Sequence, residues 1–153
     1  MRVLFVCSGN TCRSPMAEAL FRRMLDDAGR QDITVESAGT GAYDGAPASE
    51  GSFLVAVEAG LDLTGHRARL LDRELVAQAD LILTMSKGHL ARVERLGGTG
   101  KAYLLGAYAN ASAEESELRD PYGGDVEGYR QTLHQLERLL FSARERLLAE
   151  SPR

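Results

Sequence analysis

The sequence predicts an α/β fold with three layers (αβα), in which helices cover both faces of a four-stranded parallel sheet. Short, continuously apolar runs alternate with amphipathic helical patterns along the 153 residues. Runs without polar alternation are typical of parallel strands that are buried on both faces. Strands that alternate with helices favour such a sheet. A chain of this length can bury one hydrophobic core, so we expect a single domain over residues 1–153.

Each element is predicted from its hydrophobic pattern. The predicted strands cover residues 2–7, 33–38, 80–85 and 101–105. The predicted helices cover residues 15–28, 48–59, 72–79, 86–96 and 126–149, with residues 106–125 as a loop. Ser14 and Ser86 are suitable N-caps, because a serine hydroxyl accepts a hydrogen bond from a free N–H group of the first turn. Gly29 and Gly60 are suitable helix ends, because glycine adopts the left-handed conformation without strain.

Composition and charge argue against several classes of protein. The net charge of −4 gives no reason to expect a nucleic acid as partner. No apolar run approaches the roughly 20 residues that cross a bilayer, so we expect no membrane association. The apolar start VLFV is too short for a signal peptide. We therefore expect a cytosolic protein, in which Cys7 and Cys12 are better suited to reactivity than to a structural disulfide.

The segment CSGNTCRS, Cys7 to Ser14, follows the first predicted strand, at the edge where open parallel sheets bind ligands. A structural zinc site is excluded, because the two cysteines and three histidines lack the paired spacing it needs. A thioredoxin-like motif fits poorly, because four residues rather than two separate Cys7 from Cys12. A nucleotide-binding P-loop would need a lysine that this segment lacks. An anion-binding loop with a nucleophile remains.

The chemistry of this segment suits a tetrahedral anion. The backbone N–H groups that follow Cys7, together with the start of the next helix, can surround one anion. Gly9 permits unusual backbone angles, and Asn10 tolerates the left-handed region. Arg13 adds a planar fork that matches two phosphate oxygens. These positive groups favour a thiolate at Cys7, to which Ser14 can donate a hydrogen bond.

At this point the residues resemble a known family. The run VCSGNTCRSPMAEA is similar to the active-site segment of the low molecular weight protein-tyrosine phosphatase family. The resemblance continues through SAGT at 37–40, GLDLTGHRAR at 60–69, DLILTM at 80–85 and DPYGG at 120–124. It implies strand order 2-1-3-4, a phosphate-binding loop after the first strand, and phosphorylated proteins as partners. No metal or other cofactor is expected, because thiolate, arginine and acid cover the chemical tasks.

The resemblance also implies the catalytic residues. Cys7 is expected to be the nucleophile that forms a phosphocysteine, while Arg13 and the loop amides stabilise charge on the phosphoryl oxygens. Asp120, restrained by Pro121, is expected to protonate the leaving group and later to activate water. The other expected phosphate- and substrate-binding residues are Ser8, Gly9, Asn10, Thr11, Cys12, Ser14 and Tyr122.

Several supporting positions leave two interpretations open. Ser37 and His66 match family positions that help to fix the loop around Asn10, or they are ordinary polar residues. Cys12 is a resolving thiol that traps an oxidised Cys7 as a reversible disulfide, or a small packing residue.

The remaining charged positions are assigned from their surroundings in the sequence. Arg67 and Arg69 help to recruit an anionic substrate or form a solvated face. His89 and His134 lie in helical patterns and are expected to face solvent. No exposed apolar stripe stands out, so we expect a monomer.

Two positions bear on the substrate. The family contains tyrosine phosphatases and bacterial protein arginine phosphatases, and the sequence resembles the arginine branch at Thr11 and in the single aromatic Tyr122 before Gly123 and Gly124. Phosphoarginine is therefore the favoured substrate residue, with phosphotyrosine as the alternative. An arsenate reductase of the same fold would need a third, later cysteine, and a non-catalytic binding module would have lost Cys7, Arg13 or Asp120.

Overall fold

The computed structural model describes residues 1–112 and 116–152. Its four parallel strands have the order β2-β1-β3-β4. Their bounds are β1 Arg2–Cys7, β2 Thr34–Gly39, β3 Leu81–Thr84 and β4 Ala102–Leu104. The register pairs Cys7 with Gly39 of β2 and Val6 with Thr84 of β3. The predicted fold class and strand order are confirmed.

Six α-helices, with a π-helical turn at Glu94–Gly98 after the fourth, connect and follow the strands in the described residues. Their bounds are α1 Arg13–Asp27, α2 Glu50–Glu58, α3 Arg73–Gln78, α4 Lys87–Val93, α5 Leu105–Tyr108 and α6 Val126–Glu150. The short α5 corrects the prediction of an uninterrupted loop over 106–125, of which residues 113–115 lie outside the described part. Its buried Leu105 and Tyr108 pack into the core, and this tertiary contact is invisible to local periodicity.

The hydrophobic core has two halves, one on each face of the sheet. Alternate residues of β1 point to opposite faces, so Phe5 joins α1 and α6 on one side while Val6 joins α3 and α4 on the other. Phe5 packs edge-to-face on Phe21 of α1, with ring centroids 5.5 Å apart. Burying each such large apolar side chain stabilises the fold by about 2 kcal/mol. This packing fixes β1 in the centre of the three layers.

Most predicted helix ends are confirmed, with one informative exception. Ser86 caps α4 by accepting from the backbone N–H of His89, and Gly29 and Gly60 follow α1 and α2 with φ of 70° and 78°. Helix α1 begins at Arg13, two residues earlier than predicted, and Ser14 does not cap it. The hydroxyl of Ser14 is used elsewhere, in the loop described below.

No helix in the described ranges is long and apolar enough to cross a membrane. The carboxyl end of β1 lies between β2 and β3, to which the chain returns on opposite sides. Ligands of open parallel sheets bind at such a switch point. Cys7, the last residue of β1, stands there.

Candidate active site

A cavity of about 310 Å³ opens at the carboxyl end of β1. Its floor and walls come from the loop between β1 and α1 and from three other segments of the chain. The lining residues include Cys7, Ser8, Gly9, Thr11, Cys12, Arg13, Gly41, Tyr43, Ala46, Asp120 and Tyr122. The structure therefore brings together residues that are more than 100 positions apart in the sequence.

Asn10 is the residue that fixes the shape of the loop. It is fully buried and has a left-handed backbone conformation with φ of 56°. Its side-chain nitrogen donates to the hydroxyls of Ser14 (2.8 Å) and Ser37 (2.9 Å), and its side-chain oxygen accepts from the backbone N–H of Arg69 (2.9 Å). The backbone carbonyl oxygen of Asn10 accepts from the ring Nε2–H of His66 at 2.6 Å. All these bonds satisfy buried polar groups that would otherwise be costly.

Ser37 and His66 thus lie where the resemblance implied, in contact with Asn10. Ser37 also donates to a carboxylate oxygen of Glu18 on α1 at 2.6 Å. Arg69 pairs instead with Glu36 at 3.1 Å, and Arg67 donates to backbone carbonyls, so neither arginine lines the cavity. Both arginines thus contact protein groups outside the cavity.

The sulfur of Cys7 lies at the floor of the cavity, 2.9 Å from the hydroxyl oxygen of Ser14. Because an amide nitrogen can only donate, the Ser14 oxygen accepts from Asn10 and its own proton remains available to the sulfur. A hydroxyl that donates to sulfur stabilises a thiolate. The network around Asn10 therefore leaves a hydroxyl proton within hydrogen-bond distance of the Cys7 sulfur.

Arg13, a buried guanidinium that is 4% exposed, lines the same cavity as Cys7. One terminal nitrogen donates to the carbonyl oxygen of Leu118 at 3.0 Å. The other lies 3.4 Å from a carboxylate oxygen of Asp120 and 3.5 Å from the hydroxyl of Ser8. Its Nε has no hydrogen-bond partner among the described residues. A buried cation with an unused donor at a cavity floor is suited to an anionic ligand.

Asp120 stands at the mouth of the cavity, with 48% of its side chain exposed. Its second carboxylate oxygen accepts from the backbone N–H of Tyr122 at 3.0 Å. The buried Pro121 accepts from Gly124 at 2.9 Å, and Gly123 has φ of 78°, so the DPYGG segment forms a tight turn. This turn holds the carboxylate at the cavity mouth, beside Arg13 of the loop.

Gly39, at the end of β2, is a residue whose place in the site the sequence did not reveal. A Cβ atom at this position would lie 2.5 Å from the carbonyl oxygen of Ser8 and 2.8 Å from the backbone nitrogen of Asn10. The neighbouring Thr40 and Gly41 donate backbone hydrogen bonds to Cys7 and Ser8, both at 2.9 Å. The loop between β1 and α1 therefore packs directly against the backbone of β2. The SAGT run at residues 37–40 was the only feature of the sequence that pointed to this contact.

His89 corrects a prediction, because it is buried rather than solvent-facing, whereas His134 is exposed as expected. The His89 Nε2 lies 2.8 Å from the hydroxyl of Ser8, and its Nδ1 lies 2.9 Å from the hydroxyl of Ser86. Burial, followed by the charge of Arg13, lowers the pKa of His89 to about 4. The helical pattern gave no sign that this face of α4 meets the loop.

Two exposed tyrosines form the outer walls of the cavity. Tyr122 is 74% exposed, and Tyr43, from the loop after β2, is 85% exposed. Sequence reasoning singled out Tyr122 and missed Tyr43, because the loop between β2 and α2 carries no local mark of its position. The cavity thus offers two aromatic side chains to a substrate.

Cys12 is buried at the start of α1, and both cysteines are free thiols. Its sulfur lies 3.3 Å from the hydroxyl of Ser49 and 3.7 Å from that of Tyr129. Within residues 1–112 and 116–152, no cluster of three or more His, Cys, Asp or Glu side chains is arranged to hold a metal ion.

The fold and this site define a class of protein. The profile of the family described as low molecular weight phosphotyrosine protein phosphatase matches residues 2–152. The chain belongs to this family. It is therefore a low molecular weight protein phosphatase, a hydrolase.

The relatives of the chain fall into two groups. It is 39% identical over 137 residues to the low molecular weight protein-tyrosine-phosphatase PtpB of Staphylococcus haemolyticus, covering 89% of this chain and 92% of that protein. It is 37% identical over 151 residues to the protein-arginine-phosphatase of Geobacillus stearothermophilus, covering 97% of each. A solved YwlE arginine phosphatase with a phosphorylated active-site serine superposes with a TM-score of 0.87 at 33% identity, covering 100% of this chain and 98% of that one.

Proposed function

We propose that this phosphatase removes phosphoryl groups from proteins through a phosphocysteine on Cys7. The single observation that carries the proposal is the pairing of Cys7 with a buried, partly unpartnered Arg13 at one cavity floor. A thiolate supplies the nucleophile, and the guanidinium with the loop amides matches the oxygens of a phosphoryl group. Family membership supports the same chemistry.

In the first step the Cys7 sulfur forms a bond to phosphorus as the bond to the leaving group breaks. Arg13 and the backbone N–H groups of the loop stabilise the charge on the three non-bridging oxygens. Asp120 transfers its proton to the leaving atom. In the second step Asp120 accepts a proton from water, which attacks phosphorus and releases inorganic phosphate and the Cys7 thiolate. Proton and charge are thus restored at the end of each cycle.

The remaining loop residues are proposed to bind and position the phosphoryl group. Gly9 and Thr11 line the cavity with Ser8 and Cys12, and their backbone N–H groups would donate to the phosphoryl oxygens. Asn10 holds the loop in shape through Ser14, Ser37 and His66. These last two residues touch no substrate and act through Asn10.

Phosphoarginine is the substrate residue that we favour. Its phosphorylated guanidinium is flat, polar and cationic, so it gains from a carboxylate and a hydroxyl near the reacting atom. Asp120 and Thr11 line the same cavity and supply these two groups. Tyr122 can stack on the guanidinium plane. Thr11 also resembles the arginine phosphatases, whereas tyrosine phosphatases of the family carry an apolar residue there.

Phosphotyrosine is the second candidate, and one observation favours it. The sequence indicated a single aromatic wall, but Tyr43 adds a second beside Tyr122. Two aromatic side chains can enclose a phenyl ring as well as a guanidinium. The substrate preference therefore depends on Thr11 more than on the aromatic walls.

The deciding experiment compares kcat/KM for two peptides of identical sequence that carry either phosphoarginine or phosphotyrosine. We expect a preference for phosphoarginine, which Thr11→Ile shifts toward phosphotyrosine. Thr64→Ile, at an exposed position away from the cavity, is the matched control and leaves the ratio unchanged. A large preference of the wild type for phosphotyrosine contradicts the substrate assignment and leaves the phosphatase assignment intact.

The class of reaction is tested with p-nitrophenyl phosphate. We expect hydrolysis that disappears in Cys7→Ser, because serine is a weaker nucleophile at neutral pH. Reduction of arsenate by the wild type, without phosphatase activity, would point to the reductase alternative. Binding of phosphopeptides without turnover would point to a binding module.

We also propose that Cys12 protects Cys7 from irreversible oxidation. A peroxide oxidises the Cys7 thiolate to a sulfenic acid, and the Cys12 thiol then displaces water to form a disulfide. The presence of both free thiols on one loop supports this step. After peroxide treatment, dithiothreitol should restore the wild type more fully than Cys12→Ser. If the wild type and Cys12→Ser recover the same fraction of activity, Cys12 is a packing residue and has no protective role.

Three expectations concern the protein as a whole. We propose that residues 1–153 form one domain, that the enzyme is a monomer, and that it acts in the cytosol. Sedimentation or size-exclusion measurements test the second, and a dimer at micromolar concentration contradicts it.

A further inference from the structure

His89 is a buried side chain that the proposed chemistry does not use. Its ring connects two hydroxyls, that of Ser8 in the phosphate loop at 2.8 Å and that of Ser86 at the start of α4 at 2.9 Å. It is 6% exposed, so both ring nitrogens depend on these partners. The ring thus connects α4, on the face of the sheet that also holds α3, to the loop.

One assignment of the protons on this ring satisfies both hydroxyl partners. The Ser86 oxygen accepts from the backbone N–H of His89, and its own proton can be donated to Nδ1. A neutral ring then carries its proton on Nε2 and donates it to the Ser8 oxygen. The pKa of about 4, caused mainly by burial, keeps the ring neutral at physiological pH.

The Ser8 oxygen receives a second donor, the terminal nitrogen of Arg13 at 3.5 Å. With both lone pairs occupied by His89 and Arg13, the Ser8 proton has no competing acceptor there and is free to point into the cavity. Ser8 lines that cavity together with Cys7. In the reverse arrangement Ser8 would donate to His89 and present a lone pair to a bound phosphate. The negative charge of the phosphate repels such a lone pair.

We propose that His89 is a positioning residue, whose Nε2–H orients the Ser8 hydroxyl as a hydrogen-bond donor to a non-bridging phosphoryl oxygen. The inference rests on the proposed phosphatase chemistry and adds a side-chain donor to the loop amides and Arg13. Ser8 is the group that contacts the phosphoryl oxygen, and His89 acts through it. The Ser8 oxygen also accepts from one terminal nitrogen of Arg13 and so helps to hold that nitrogen in place.

A double-mutant cycle tests this coupling. The variants are Ser8→Ala, His89→Leu and the double variant, each assayed for kcat/KM with p-nitrophenyl phosphate and for the inhibition constant of orthovanadate. Loss of one hydrogen bond to a charged group lowers kcat/KM about tenfold or more, so we expect this for Ser8→Ala and for His89→Leu. In the Ser8→Ala background, His89→Leu should then have less than a twofold further effect.

The controls separate positioning from general damage. His89→Gln retains an amide donor toward Ser8 and should recover most of the activity and vanadate binding that His89→Leu loses. His134→Gln changes an exposed histidine on α6 and should match the wild type. If His89→Leu does not fold, Ser8→Ala alone decides, because unchanged kcat/KM and vanadate inhibition overturn the proposal.

Two outcomes overturn the inference. One is an equal effect of His89→Leu with and without the Ser8 hydroxyl, and the other is a wild-type value for Ser8→Ala. Both outcomes are interpreted only once it has been shown that the wild type hydrolyses the substrate and that Cys7→Ser does not. An inactive wild type would instead contradict the proposed function, so the two failures are distinguishable.

Discussion

The hydroxyl of Ser14 lies 2.9 Å from the sulfur of Cys7 and cannot serve as a helix cap. Asn10 donates to the same oxygen, and the Ser14 proton remains available to the sulfur. A residue with strong capping propensity is thus used at the site instead, and α1 begins at Arg13 without a side-chain cap. The helix therefore lacks a side-chain cap, and the hydroxyl contacts the sulfur of Cys7 instead.

Replacement of Ser14 by alanine tests this relationship. Because hydrogen bonds to charged groups contribute about 1.5–3 kcal/mol, we expect Ser14→Ala to lower kcat by about 10- to 100-fold. Ser142→Ala, on the exposed side of α6, is the control and should not change kcat. The measurement is steady-state hydrolysis of p-nitrophenyl phosphate. A wild-type kcat in Ser14→Ala contradicts a role for this hydrogen bond.

The contribution of Asp120 to kcat is expected to increase with the basicity of the leaving group. Asp120→Asn cannot transfer a proton, so kcat should fall about 100-fold or more with a poor leaving group. With p-nitrophenol, which leaves without protonation, the loss should be smaller. Asp27→Asn, at an exposed position on α1, serves as the control. The same loss with good and poor leaving groups argues against Asp120 as the acid.

Gly39 is expected to be intolerant of any side chain. The methyl group of Gly39→Ala would lie 2.5 Å from the Ser8 carbonyl oxygen, so the loop or β2 must move. Overpacking of this kind typically costs about 1–3 kcal/mol of unfolding free energy. Gly65→Ala is the matched control, because nothing lies within 4 Å of its added Cβ. Chemical denaturation measures both, and equal stability contradicts the close approach.

His89 should make the stability depend on pH. Its pKa falls from an ordinary value of 6.5 to about 4, through burial and the charge of Arg13, against the opposite effects of Asp120 and Glu117. The unfolded chain therefore binds more protons between these values, so the contribution of His89 is present above pH 6.5 and is lost as the pH falls toward 4. Between pH 7 and 5 the loss should be roughly 2 kcal/mol.

Chemical denaturation of the wild type and of His89→Gln, at pH 7 and pH 5, measures this contribution. The wild type should lose more unfolding free energy than the variant, which has no titrating ring at this position. The two proteins share every other side chain, including the exposed His134, so the comparison isolates His89. Parallel losses in the two proteins would contradict a neutral, buried His89.

Sequence reasoning predicted the features that depend on neighbouring residues. The segment from Cys7 to Ser14 lies between a clear strand pattern and a clear helix pattern. The loop between β1 and α1 and its place at the end of β1 were therefore predicted from the sequence. The order of the strands and the place of Asp120 came from resemblance to the family. The burial of His89 and the contact of Gly39 with the loop were not evident, because each depends on packing between segments distant in the sequence.

The direct test of the central claim is the chemical identity of the reaction intermediate. The wild type is mixed with a phosphorylated substrate, quenched in acid within one turnover and analysed by mass spectrometry of its peptides. We predict the mass of one phosphoryl group on Cys7, and its accumulation in Asp120→Asn when an easily displaced leaving group is used. Turnover with no phosphoryl group on Cys7, or with one on another residue, contradicts the account.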